Sequence, residues 1–109
     1  MKYEKENFNI MTQHNLADAF KNIVEGEGNP FILKVTRGAE DHHDGDFRIS
    51  TIINGKDTFL GYIRNNYKSR TIAYQPPKTE DNSTIQIRNG GDFIKAVESF
   101  VGHYKYRVL

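Results

Sequence analysis

The stretch that most constrains this chain is FRISTIINGKDTFLGYIR, residues 47–64. Asn54-Gly55 sits between two alternating runs, and both residues tolerate positive φ. That combination predicts a type I′ hairpin turn. A two-residue loop pairs Ile53 with Lys56, Thr51 with Thr58, Ile49 with Leu60 and Phe47 with Tyr62. Phe47, Ile49, Ile53, Leu60 and Tyr62 then share one face, the expected core side. Arg48, Ser50, Ile52, Phe59 and Ile63 take the other, a partly apolar face that needs a cover or a contact.

Other elements group around this hairpin. In NLADAFKNIVEG, Leu16, Ala19, Phe20, Ile23 and Val24 fall at helical spacing. Asn15 is the expected N-cap and Gly26 the stop. Residues 1–12 are polar and mixed in charge and read as frayed or as an edge strand. FILKVTR, residues 31–37, alternates as a strand. A three-residue turn at NNY would pair Tyr62 with Arg70, Leu60 with Ile72 and Thr58 with Tyr74; a two-residue turn would change their sides. Pro76-Pro77 end that pairing. STIQIR is a short strand with Ile85 and Ile87 inward. Asp92 is the expected cap of a second helix carrying Phe93, Val97, Phe100 and Val101, ended by Gly102. The tail YKYRVL alternates as a final strand. The fold class is α+β: a single antiparallel sheet of five to six strands with two helices on one face. The expected order is α-β-β-β-β-β-α-β.

The 109 residues suit a single domain, 1–109. Cysteine is absent, which removes disulfides and thiolate chemistry and fits a reducing compartment. No apolar run approaches the ~20 residues of a membrane span, and MKYEKENFNI lacks the apolar core of a signal peptide. The expectation is a soluble, cytoplasmic protein without membrane contact. Residues 1–60 carry 7 Lys/Arg against 10 Asp/Glu, a balance of −3. Residues 61–109 carry 8 against 4, a balance of +4. An acidic and a basic face follow if the fold segregates the halves.

Two stretches are candidate sites. RGAEDHHDGD, residues 37–46, offers Glu40, Asp41, Asp44 and Asp46 around His42 and His43. Adjacent histidines point apart in an extended chain, zinc spacings are missing, and the calcium-loop pattern is incomplete. The stretch reads as a turn between strands, with the acids available to a basic partner, and no metal or cofactor is implied. GYIRNNYKSRTIAYQ, residues 61–75, holds Arg64, Lys68 and Arg70 without acids, with Tyr67 free to stack. Lys105 and Arg107 in the tail add to it. That is the composition of a single-strand nucleic-acid binder.

PFILKVTRGAEDHHDGDFRISTIINGKDTFLG, with a helix before it and YKSR after, resembles in outline the first strands of a double-stranded-RNA-binding domain. Such domains open a long helix at the basic run. Here Thr71 to Gln75 read as a strand, so no residue role is carried over.

No GxGxxG, Walker, GxSxG or HExxH motif is present. The leading expectation is a small non-enzymatic binding protein that docks a protein or nucleoprotein partner, as an inhibitor, immunity factor or regulator. The alternative is a nucleic-acid-binding module using Arg64, Tyr67, Lys68, Arg70, Lys105 and Arg107. A second alternative is a toxin-type nuclease using His42 or His43 with an arginine. Homodimerisation is left open.

Overall fold

The structure, a computed structural model, describes residues 5–36, 45–66, 69, 71–78 and 84–108, with side chains from Met11 onward. Helix α1 (Lys5–Gly26) is followed by strands β1 (Phe31–Thr36), β2 (Asp46–Ile53), β3 (Lys56–Asn66), β4 (Thr71–Gln75) and β5 (Ile85–Gln86). Helix α2 (Gly90–Val108) closes the chain. The strands form one antiparallel sheet in sequential order. This is the expected α+β architecture, with α-β-β-β-β-β-α in place of the expected terminal strand.

Helix α1 begins at Lys5, ten residues before the expected cap at Asn15, so residues 5–12 are neither frayed nor an edge strand. The reason lies in what its buried face carries. Leu16, Ala17, Phe20 and Val24 are buried, and one turn earlier the same face continues through Thr12 and Gln13. Those two are polar, so the apolar stripe stops while the helix does not. Gln13 is fully buried and donates through Nε2 to the carbonyls of Gly45 (3.1 Å) and Ile63 (2.9 Å). The helix thereby satisfies the backbone of the sheet it covers. It ends at Gly26, as expected.

Helix α2 runs through Gly102 and absorbs the tail that reads as a strand. Asp92, Ala96, Phe100 and Tyr104 recur every four residues and form its buried stripe. Tyr104 therefore continues a helical period rather than opening a strand. Its hydroxyl accepts from Asn29 Nδ2 at 2.7 Å. The cap is Asn89, not Asp92: Asn89 Oδ1 accepts from the Asp92 N–H at 2.9 Å. Asp92 Oδ2 reaches back to the Arg88 N–H at 3.0 Å. This reciprocal arrangement is close to a capping box.

The two helices meet through aromatic rings. Phe20 of α1 stacks on Phe100 of α2 at 3.8 Å, and Tyr74 of β4 meets Phe20 edge-on at 5.1 Å. Phe47, Ile49, Leu60, Ile63, Ile72 and Ile87 complete the core between helices and sheet. Both helices thus cover one face, and among the described residues no helix lies on the other.

The hairpin turn forms where expected, with Ile53 opposite Lys56 and Thr51 opposite Thr58. The pairing then departs from the expected register. Ser50 faces Phe59, but Ile49 faces Gly61, so Leu60 is the extra residue of a β-bulge. Beyond it Phe47 pairs with Ile63 rather than Tyr62. Every later residue of β3 changes side. Ile63 becomes core and Tyr62 moves to the helix-free face, the reverse of the sequence expectation. Gly61 permits this, because its φ is +116° and a Cβ there would lie 2.6 Å from the Gln75 carbonyl oxygen and 2.9 Å from the Tyr74 ring. The Tyr74 hydroxyl donates to the Leu60 carbonyl at 2.8 Å, locking ring and bulge together.

The next turn also differs. Strand β3 extends to Asn66, and Tyr62 pairs with Gln75, Ile63 with Tyr74 and Asn65 with Ile72. The connection therefore spans residues 67–70, one longer than the expected NNY turn. Ile72 and Tyr74 are nonetheless core residues, as expected. Thr71–Gln75 form a strand, as expected, where a double-stranded-RNA-binding domain would open a helix.

Candidate functional site: the helix-free sheet face

Alternation and the bulge decide which side chains reach the helix-free face. Residues opposite one another share a face. Ile32 and Lys34 of β1, Asp46, Arg48, Ser50 and Ile52 of β2, and Asp57, Phe59, Tyr62 and Arg64 of β3 all project there. Gln75 of β4 follows from its pairing with Tyr62.

These side chains are interlocked. The Arg48 guanidinium lies 4.8 Å from the centre of the Phe59 ring, and that of Arg64 lies 4.6 Å from the Tyr62 ring. The two rings meet edge-on at 5.2 Å. Arginine over an aromatic face is attracted by the ring quadrupole, and its planar group stacks without losing its outward donors. The row Arg48, Phe59, Tyr62, Arg64 is thus one continuous, half-exposed ridge.

Charge on this ridge is largely neutralised from within. Arg64 Nη1 binds the Asp46 carboxylate, and Arg64 Nε donates to Gln75 Oε1 at 2.8 Å. The other oxygen of Asp46 accepts from the Asn65 N–H at 3.1 Å. Arg48 lies 3.8 Å from Asp57, both partly exposed, a pair that contributes little energy but offsets charge. Beneath the ridge Ser50 is fully buried although no helix covers this face, and its Oγ has no hydrogen-bond partner. Its cross-strand neighbours Ile32 and Phe59 supply the cover.

The sequence-derived candidates fall out differently. Glu40, Asp41, Asp44, His42 and His43 lie outside the described residues, as do Tyr67, Lys68 and Arg70. Asp46, expected in an acidic contact loop, opens β2 and is bound to Arg64. Lys105 and Arg107, expected on a final strand, ride on α2, which packs against the opposite face of the sheet. Arg107 turns back on its own helix, donating to the His103 carbonyl at 3.2 Å. Among the described members of the basic set, Arg64 therefore lies on a different side of the sheet from Lys105 and Arg107. Phe59 and Arg48 were legible as outward residues; Tyr62 was not. The signal for it was Gly61, since a glycine inside a strand often marks a bulge.

Among the described residues no cluster of three His, Asp or Glu side chains could hold a metal ion. No helix among them is long and apolar enough to cross a membrane. Compared with protein-family models, curated proteins and solved structures, the chain matches none.

Proposed function

We propose that this protein docks a protein partner through its helix-free sheet face, in the manner of an inhibitor, immunity factor or regulator. The observation that carries this reading is the ridge Arg48, Phe59, Tyr62, Arg64, whose arginines each stack on a ring, with Arg64 bound by Asp46 and Arg48 near Asp57. Aromatic residues and arginine are the side chains enriched at protein-interface hot spots, and few rotamers are lost when they are already stacked. Ile32 and Ile52 extend the ridge with partly exposed apolar surface. A phosphate-binding face would instead leave its arginines without competing acids.

A second reading, nucleic-acid binding, is favoured by the stacked Arg64 and Tyr62, with Tyr67, Lys68 and Arg70 next in sequence. One experiment separates the two. A photo-crosslinking residue is placed at Tyr62 and, as control, at exposed Ile94 on α2. The docking reading expects a protein adduct of fixed mass from position 62 alone, lost on Phe59→Ala. In parallel, the anisotropy of labelled single- and double-stranded DNA and RNA is followed at low and high salt. Micromolar binding that falls steeply with salt, and vanishes in Lys68→Glu/Arg70→Glu, would replace the docking reading with the second. Replacing Asp41, Asp44 and Asp46 by Lys tests whether the acidic segment steers the partner, seen as slower association.

A further inference from the structure

Strand β1 lies at the edge of the sheet: among the described residues it pairs only with β2. Its outer edge, unpaired among the described residues, coincides with exposed apolar side chains. Five large hydrophobic side chains among the described residues stay exposed. Two of them, Leu33 (37 %) and Val35 (56 %), alternate on β1. They are on the core side of the sheet, opposite Ile49 and Phe47, and remain exposed there. A third, Met11 (55 %), stands one helical turn before His14. The His14 ring meets Phe47 at 5.1 Å, and Phe47 is the cross-strand neighbour of Val35. Met11 thus sits on the same flank of α1 as His14.

We infer that two copies of this chain pair antiparallel through β1, extending the sheet across a two-fold axis. An isologous contact needs a strand that is complementary to itself. Opposite residues of an antiparallel pair share a face, so the axis must pass through a residue. Centred on Lys34, two lysines would face each other. Centred on Leu33, Leu33 meets Leu33 of the second copy and Phe31 meets Val35. On the other face Lys34 meets Ile32, so no like charges are opposed. That register uses residues 31–35 and stops at Pro30, which has no N–H to donate. Among the apolar side chains it joins, Leu33 and Val35 are exposed. The contact leaves the helix-free face open and makes it continuous across both copies, so a failure of this pairing does not bear on the docking reading.

The chain lacks cysteine, which makes disulfide trapping clean. Directly opposed residues have Cα atoms about 4.5–5.5 Å apart, inside the range a disulfide spans. Diagonal residues, about 7–8 Å apart, fall outside it. Leu33→Cys is therefore expected to yield a covalent dimer on mild oxidation, and Lys34→Cys is not. Light scattering of the unmodified chain is expected to rise with concentration toward twice its 12.6 kDa mass. Leu33→Lys, at an exposed site, is expected to stay monomeric with an unchanged melting temperature. A unmodified chain that is monomeric up to millimolar concentration would overturn the inference. So would a Leu33→Lys variant that still dimerises, or equal trapping through Lys34→Cys. Trapping of Leu33→Cys only onto foreign proteins would assign the edge to another chain's strand and equally overturn it.

Discussion

Asp46 and Arg64, which the sequence distributes between an acidic loop and a basic strand, are partners in one ion pair across β2 and β3. The consequence is that neither surface exists as a field of one sign at this point. The carboxylate holds the guanidinium over Tyr62 and at the same time accepts the Asn65 N–H. Asp46→Asn keeps the shape and removes the charge. Because Arg64 is partly exposed, the loss is expected to be modest, about 1 kcal/mol in urea unfolding. The same variant is expected to gain non-specific nucleic-acid binding at low salt, since Arg64 is released.

Gly61 leaves no room for a side chain. Gly61→Ala must place a Cβ against the Gln75 carbonyl and the Tyr74 ring from a backbone at φ +116°. A cost of about 3 kcal/mol is expected. Gly102→Ala is the contrasting change, because open space surrounds Gly102 within α2. It is expected to stabilise by about 0.5–1 kcal/mol. Chemical denaturation of both variants measures the difference.

Gln13, itself fully buried, ties α1 to the carbonyls of Gly45 and Ile63 through buried hydrogen bonds. Gln13→Leu conserves bulk but strands both acceptors, and about 2 kcal/mol of stability is expected to be lost. Hydrogen exchange is expected to show the loss first as fraying of the N-terminal half of α1, before global unfolding.

Acid is expected to weaken the fold in two steps. Burial, with help from nearby Arg107, lowers the His103 imidazole below its ordinary value of 6.5. The Arg88 backbone N–H, first among its contacts, holds the Asp92 carboxyl below its ordinary 3.8. Both groups bind protons more weakly folded than unfolded. Their stabilisation is therefore complete above the unfolded values and lost as pH falls through the folded ones. Unfolding midpoints measured across this range are expected to drop below 6.5 and again below 3.8. His103→Gln is expected to flatten the first step and Asp92→Asn the second.

Local chemistry determined much of this protein. Asn54-Gly55 set the hairpin and its first pairs, Pro76-Pro77 ended β4, and the spacing of Leu16, Phe20 and Val24 marked the heart of α1. These signals act over a few residues, through allowed φ values and side-chain periodicity, and they suffice for the α+β class. Tertiary structure alone decided what one-residue shifts decide. A single bulge at Leu60 exchanged Ile63 and Tyr62 between core and ridge, because side chains alternate with period two and one extra residue inverts all that follow. The starts and ends of helices obeyed packing in the same way. Thr12 and Gln13 extend α1 because the sheet covers both and offers Gln13 two carbonyls, and Tyr104 extends α2 because it is buried beside Phe100 and bonded by Asn29. Charge was decided last. Asp46 and Arg64 lie 18 residues apart, and only the paired strands bring their opposite signs into contact.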